Sequence, residues 1–417
     1  MIDYSDKLDT IFDKLLTLSI KPVIVGGFVR DFLLQEASKD IDIELYGIES
    51  YSELEKILEE FGSVNSVGKS FGVCKLTLDD LDLDFSLPRV DSKVSKGHTG
   101  FAVKIDTSLD FKEATSRRDF TINAIGFDVE THQILDPFHG VDDLKNRILR
   151  AVDLNKFGDD PLRVLRAVQF SSRLHFALDD TLFTLCKDMI DSNLLDELPR
   201  ERIFLEIEKL LLKSSSPSAG IELLKRLGAF NLFTQLKELT QEDYKSTLCA
   251  LDKMSSLRGT HELRNTPLML SLLCYKLKSK SYETFLAKLT TNRSLIKSVL
   301  AIVGNQNSLD YSKFIDYDIY LLATKVNIEE FTLFSQAITD SKSMLDNISR
   351  LTTRAKELGV FNAEAKALLQ GRDILYLGIK PSKEFSTILD RAYLAQISGQ
   401  FKTKEEGLVW LKELLST

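Results

Sequence analysis

The chain has 417 residues, of which 43% are hydrophobic and 28% charged, with a formal net charge of −8. That apolar content supports roughly two to four folded domains and excludes wholesale disorder. The acidic balance excludes a surface coated in nucleic-acid contacts but leaves room for a local basic track. No stretch reaches the roughly 20 apolar residues of a membrane span. The opening "MIDYSDKLDTIFDKLLTLSI" mixes acids and lysines through its apolar positions, as an amphipathic surface helix does and a signal peptide does not. Cys74, Cys186, Cys249 and Cys274 lie far apart with no CxxC pair, so neither a disulfide framework nor a zinc knuckle is indicated and a reducing cytoplasm is expected.

In chain order, "KPVIVGG" reads as a buried strand, "FVRDFLLQEA" as a helix, "KDIDIELYG" as an alternating strand and "SYSELEKILEEFG" as a helix. "VCKLTLDDLDLDFSLP" alternates again, and "TINAIGFDV" starts a further short strand or helix. From about residue 151 the strand signals stop and apolar residues repeat at the helical period, with breaks at "KSSSPSAG" (213–220) and "NQNSLDYS" (305–312). The fold class expected is therefore α+β, an α/β head followed by an all-α remainder.

The chemistry concentrates at 21–47. Residues i and i+2 of a strand share a side, so Asp40 and Asp42 present their carboxylates together while Ile41 and Ile43 face the core. Two neighbouring carboxylates repel unless a cation joins them, and hard oxygen ligands on a rigid strand suit Mg²⁺ carrying a nucleotide's phosphates. The preceding Gly26-Gly27 turn lets backbone approach phosphate, the helix after it offers its first amides, and Arg30 stands in its first turn. A solvated acidic strand face is the plain alternative. The ordered set of strand, Gly-Gly, helix and DxD strand argues for one phosphate-and-metal corner. Neither GxxxxGK[ST] nor GxGxxG is present.

These residues, with "GHTGFAVKIDTSLDFKEATSRRDFTINAIGFD" (97–128), "ILDPFHGVDDLKNRILRAV" (134–152), "DDPLRVLRAVQFSSRLHF" (159–176) and "ELPRERIFLEIEKLL" (197–211), resemble the class II nucleotidyltransferases of the polymerase-beta superfamily. That family comprises the tRNA CCA-adding enzymes and bacterial poly(A) polymerases. The resemblance implies a polymerase-beta-like head at 1–150 with the metal site. It further implies a helical neck at 151–215 that reads the base, and a body (216–304) and tail (305–417), both helical and RNA-binding. It implies that Arg118 contacts the triphosphate and that Asp119 stands near the ribose 2′-OH. Within the base-reading block, Asp160, Arg163 and Arg166 fall at i, i+3 and i+6. An aspartate accepting from an exocyclic amine and an arginine donating to ring nitrogens can together select C and A without a template. A third carboxylate on the next strand activates the attacking hydroxyl in such enzymes; of Asp80, Asp82 and Asp84, Asp84 is the choice, nearest the strand's end.

Two departures stand out: Asp159 where the family commonly has Glu, and Gln169 where many CCA-adding members carry another arginine. The five histidines form no HD pair, which argues against a phosphohydrolase. Between 271 and 300 six Lys/Arg accompany one acid, Glu283, as suits a track for RNA backbone. The function expected is Mg²⁺-dependent addition of CCA to tRNA from CTP and ATP, with no membrane or protein partner. "VGKSFGVCKL" (67–76) argues against a poly(A) polymerase and the full-length "RVDSKVSKGHTG" (89–100) against a CC-only enzyme. An A-adding specialist stays open, and a silent RNA-binding protein ranks last because both carboxylates are present.

Overall fold

The computed structural model describes residues 4–416 except 39, 66–71, 79–80, 94–100, 259–264, 307–313 and 378–383. Asp80, residues 67–71 of the stretch weighed against poly(A) polymerases, and 94–100 of the loop before the RRD triplet therefore lie outside the described residues. The chain divides into two compact units, Met1–Lys237 and Glu238–Thr417.

The first unit opens with α1 (Lys7–Thr17), whose Leu8, Ile11, Phe12 and Leu15 are buried at helical spacing. Next come β1 (Lys21–Val25), α2 (Gly27–Leu33), β2 (Ile41–Tyr46), α3 (Tyr51–Leu58), β3 (Ser63–Asn65), β4 (Val73–Leu78) and β5 (Leu81–Ser86). A two-stranded ribbon, β6 (Arg89–Lys93) and β7 (Phe101–Ile105), leads into α4 (Phe111–Thr115), β8 (Gly126–Asp128), β9 (Gln133–Leu135) and α5 (Gly140–Asn146). Among the described residues the main sheet has seven strands in the order β3-β4-β5-β2-β1-β8-β9, in which only β2 and β5 run parallel.

Register decides what each face carries. One row across the sheet reads Cys74, Phe85, Ile43, Ile24, Phe127, and every member is buried. The next row, one residue along, reads Lys75, Asp84, Asp42, Val25, Gly126. Because successive strand residues point to opposite faces, the apolar row anchors the sheet and the polar row is free for chemistry.

Beyond the sheet the unit is mainly helical, with α6 (Leu154–Phe157), α7 (Leu162–Leu174), α8 (Asp180–Asp191), α9 (Arg200–Lys213) and α10 (Pro217–Arg226); against the expectation of no strands after residue 151, a short parallel pair, β10 (Ile148–Leu149) with β11 (Ala177–Leu178), interrupts it. The long α7 packs on α9 and α10 and buries Val164, Leu165, Ala167, Val168 and Phe170. The second unit is all-helical among the described residues, from α11 (Gln241–Leu257) through α12 (Asn265–Cys274), α13 (Ser279–Leu289), α14 (Arg293–Gly304), α15 (Asp316–Ala323), α16 (Ile328–Ala337), α17 (Lys342–Glu357), α18 (Gly371–Tyr376) and α19 (Glu384–Ile397) to α20 (Lys404–Ser416). Leu268, Met269, Leu270, Leu272 and Leu273 of α12 are all buried, as expected of a helix apolar on every side. The last three helices share a small core of Leu369, Ile374, Ala392, Ala395, Phe401 and Leu411. No helix among the described residues is long and apolar enough to cross a membrane.

Phe85 lies at the centre of the apolar row and is fully buried. Phe85→Ala is expected to destabilise the first unit by about 3–5 kcal/mol, measured by urea unfolding followed by circular dichroism.

Candidate active site

The parallel pairing of β2 with β5 sets Asp42 directly beside Asp84. Asp40 sits exposed just ahead of β2. Asp42 opens onto the polar face, yet protein atoms crowd its carboxyl. That loss of water is the largest influence and raises its pKa; Asp84 and Asp40 add to the rise, and Arg118 opposes it. Asp84 Oδ1 is shut off from solvent without a hydrogen bond and faces Lys75 Nζ at 3.4 Å. Asp82, on the same side of β5, instead accepts from the Thr77 hydroxyl at 3.2 Å. The corner thus holds more negative charge than its own cations relieve, and its donors are hard oxygens, a set that fits a divalent cation such as Mg²⁺. Among the described residues no group of three or more metal-type side chains is assembled. A cation here would therefore complete its shell with substrate oxygens and water.

Beside the carboxylates, Gly26 takes φ 73° and ψ −127° at the entrance to α2, a conformation open essentially to glycine. A Cβ there would lie 2.8 Å from Arg118 Nη1, so the arginine fork packs on bare backbone. Gly27 starts α2 beside Arg30 Nη2. Arg30 itself departs from expectation. It is 3% exposed; Nε and Nη2 donate to Asp31 Oδ1 at 2.8 and 2.6 Å, and Nη1 donates to Asn123 at 2.6 Å. A fork committed on both edges braces the corner from beneath and does not reach phosphate.

Asp119 also differs from what the resemblance implies. Its Oδ1 accepts from the Phe120 amide (2.9 Å) and Asn123 Nδ2 (3.0 Å), and its Oδ2 from Arg166 Nε (2.7 Å), with Arg166 Nη2 at 2.5 Å. All four lone-pair positions of the carboxylate are taken, leaving no acceptor for a ribose hydroxyl in this state. Burial alone would push Asp119 up; the Arg166 charge and the hydrogen bonds from Asn123 and Arg166 outweigh it and hold the carboxyl below its ordinary value. The chain Asp31–Arg30–Asn123–Asp119–Arg166 extends at its other end to Arg173, whose Nη2 lies 3.5 Å from Asp31. Phe170 sits under both Arg30 and Arg166, at 5.1 and 5.4 Å from its ring centre. This ring of α7 joins Arg30 of α2 to Arg166.

Asp160 stands just ahead of α7, not on its face, so the shared face with Arg163 and Arg166 is not formed. Its Oδ1 accepts from the Leu162 amide at 3.1 Å and its Oδ2 from Arg202 Nη2 at 3.1 Å. Arg163 donates to the Arg117 carbonyl at 2.6 Å and the Lys156 carbonyl at 3.1 Å. Both residues stay partly exposed; Gln169 is buried. Sequence reasoning missed Arg202, Asn123 and Glu44. Glu44 was within reach, since it continues the alternation of Asp40 and Asp42.

In the second unit, Lys276, Lys278, Lys280, Lys288, Arg293 and Lys297 are all exposed. Arg293, Ile296, Lys297, Leu300 and Ala301 line a groove of about 470 Å³.

Residues 23–150 match the family model described as poly A polymerase head domain, and residues 175–241 the one described as the probable RNA and SrmB-binding site of polymerase A. A CCA-adding enzyme of Streptococcus sanguinis is 27% identical over 93% of this chain and 92% of its own length. Over nearly its whole length the chain is thus similar to members of the class II tRNA nucleotidyltransferase family. A multifunctional CCA protein of Xanthomonas campestris is 37% identical over half of each chain. The CCA-adding enzyme of Bacillus stearothermophilus, solved in complex with CTP, shares the nucleotidyltransferase fold with a TM-score of 0.72 and 22% identity over 99% of this chain and 98% of its own. Nucleotidyltransferases of this family generally use divalent metals, in keeping with the crowded carboxylates.

A carboxyl held below its unfolded value of about 3.9 contributes stability that is complete above that pH and is lost as pH falls through the folded value. Asp119→Asn is therefore expected to flatten the loss of stability below about pH 4. At pH 7 it should cost about 3 kcal/mol, because Arg166 loses its partner. Urea unfolding across pH measures both effects.

Proposed function

We propose that the protein is a template-independent tRNA nucleotidyltransferase that adds CCA to tRNA 3′ ends from CTP and ATP, releases pyrophosphate and uses Mg²⁺. The observation that carries this reading is the corner in which Asp42 and Asp84 lie side by side next to the Arg118 fork packed on Gly26. The relatives named CCA-adding enzymes, matched over nearly the whole chain, support it.

In this reading Asp40 and Asp42 hold the cation, with Asp84 adjacent. When bound, Mg²⁺ supplies neutralisation of the triphosphate and a lowered pKa for the attacking 3′-hydroxyl. The chain's own residues do the rest. Arg118 grips phosphate oxygens with a planar fork suited to them, and the tight Gly26-Gly27 turn lets the triphosphate approach backbone. Asp84 accepts the hydroxyl proton as the RNA terminus attacks the α-phosphorus. Positioning and charge compensation account for most of the rate, as in phosphoryl transfer generally.

Base choice falls to Asp160 and Arg163, both partly exposed at the start of α7. The carboxylate accepts from the amine that C and A share, and the guanidinium donates beside it. Arg166, locked to Asp119, holds α7 in place for them. In domain terms the head is 1–150 and the neck 151–215; the body (216–304) carries the RNA on the exposed basic residues of α13 and α14, and the helical tail (305–417) extends the RNA-binding half. The protein works in the cytoplasm, where its free cysteines stay reduced.

The test uses purified protein, Mg²⁺, labelled CTP or ATP, and tRNA transcripts lacking CCA, ending at CC, or complete. CTP incorporation into the shortest and ATP into the CC-ended transcript are expected. ATP addition confined to the CC-ended transcript makes it an A-adding specialist, and long A tails make it a poly(A) polymerase. Asp42→Ala should lower every incorporation by about a thousandfold or more.

A further inference from the structure

Strand alternation continues one step beyond the two aspartates and places Glu44 on their side of β2. Its setting is unlike theirs. Asp42 opens onto the polar face, whereas Glu44 is fully buried. Its Oε1 accepts from the Tyr46 hydroxyl at 3.1 Å; burial first, and then Glu44 itself, push the tyrosine far above its ordinary pKa, so it remains a donor. Its Oε2 makes no hydrogen bond and lies 3.8 Å from Arg117 Nη2 and 3.8 Å from Arg118 Nη2.

That distance is informative. A charge-assisted N–H to carboxylate bond is about 2.7–2.9 Å, so Glu44 binds both guanidiniums by charge without taking up their donors. Away from water such an attraction still acts strongly at this range. Two adjacent arginines repel each other, and a buried carboxylate between them offsets that repulsion. Arg118 Nε has no hydrogen-bond partner either, and its other edge rests on Gly26. The fork is therefore steered from two sides while its donors stay available to an anion. A carboxylate kept only for fold stability would be saturated by close donors, as Asp119 is.

We propose that Glu44 is a positioning residue for the triphosphate clamp, its buried carboxylate steering the Arg118 guanidinium by charge while leaving that fork's donors for phosphate. This rests on the reading of Arg118 as a triphosphate contact. Because the effect is on the phosphates, it is the same for CTP, ATP and inorganic tripolyphosphate.

The test compares the full-length protein with Glu44→Gln, which keeps shape and removes charge. Binding of CTP, ATP and tripolyphosphate is measured by calorimetry at fixed free Mg²⁺, alongside KM and kcat. Glu44→Gln should raise Kd about tenfold for all three ligands, and KM with it, with kcat changed much less. In an Arg118→Ala background it should add little, since the two residues act as one unit. Wild-type affinity in Glu44→Gln, or a full further loss in the Arg118→Ala background, overturns the proposal. If Glu44→Gln melts below the assay temperature, Tyr46→Phe replaces it: a raised Kd for all three ligands supports the proposal and an unchanged one overturns it. Tripolyphosphate binding needs no RNA, so a protein that binds it but extends no tRNA refutes CCA addition alone and leaves the Glu44 comparison valid.

Discussion

The parallel pairing of β2 with β5 is the constraint on which the site depends. Among the described residues it is the one parallel contact in an otherwise antiparallel seven-stranded sheet, and it brings Asp42 and Asp84 to the same level on the same face. A slip of β2 by one residue would turn Asp42 into the core and bring Ile43 out, and a slip of β5 would do the same to Asp84 and Phe85. The apolar row through Cys74, Phe85, Ile43, Ile24 and Phe127 makes that slip costly, so the hydrophobic core is what fixes the chemical register. The sheet accepts a local electrostatic cost in return. Asp42 is harder to ionise than an ordinary aspartate because it is crowded and has acidic neighbours, a cost that a bound divalent cation would relieve.

A second constraint joins that corner to the helices. Asp119 follows directly on Arg118 and spends its whole accepting capacity on Asn123, its own chain and Arg166. The residue that presents the fork is thereby tied to α7, whose start carries Asp160 and Arg163. A shift of α7 cannot leave the arginine fork undisturbed. In the proposed reading, base choice at Asp160 and Arg163 and phosphate binding at Arg118 share that support.

Much of this was legible in the sequence. Alternation through "KDIDIELYG" is a local property, and it puts Asp42 on the face opposite the buried Ile41 and Ile43; the Gly-Gly turn and the change from alternating to helical periodicity near residue 151 were equally local. Arg30 was misplaced because its partner Asn123 lies 93 residues away, and no spacing rule shows that an arginine in a first turn is already paired. Asp160 was set on the face of α7 because i and i+3 were read as a shared face, which holds only when both residues are helical; Pro161 caps the helix and Leu162 begins it, so Asp160 lies outside. Glu44 was visible in the same alternation. Its meaning was not, since only the fold brings Arg117 and Arg118 over it.

The most direct measurement of the central claim is thermal unfolding of wild type and Asp42→Asn, each in EDTA and in Mg²⁺ with CTP. If Asp42 and Asp84 form a crowded pair that a cation and triphosphate relieve, Asp42→Asn melts at or above the wild type in EDTA and loses the rise that Mg²⁺ and CTP give the wild type. A variant that melts well below the wild type in EDTA, or keeps the full rise, would contradict it.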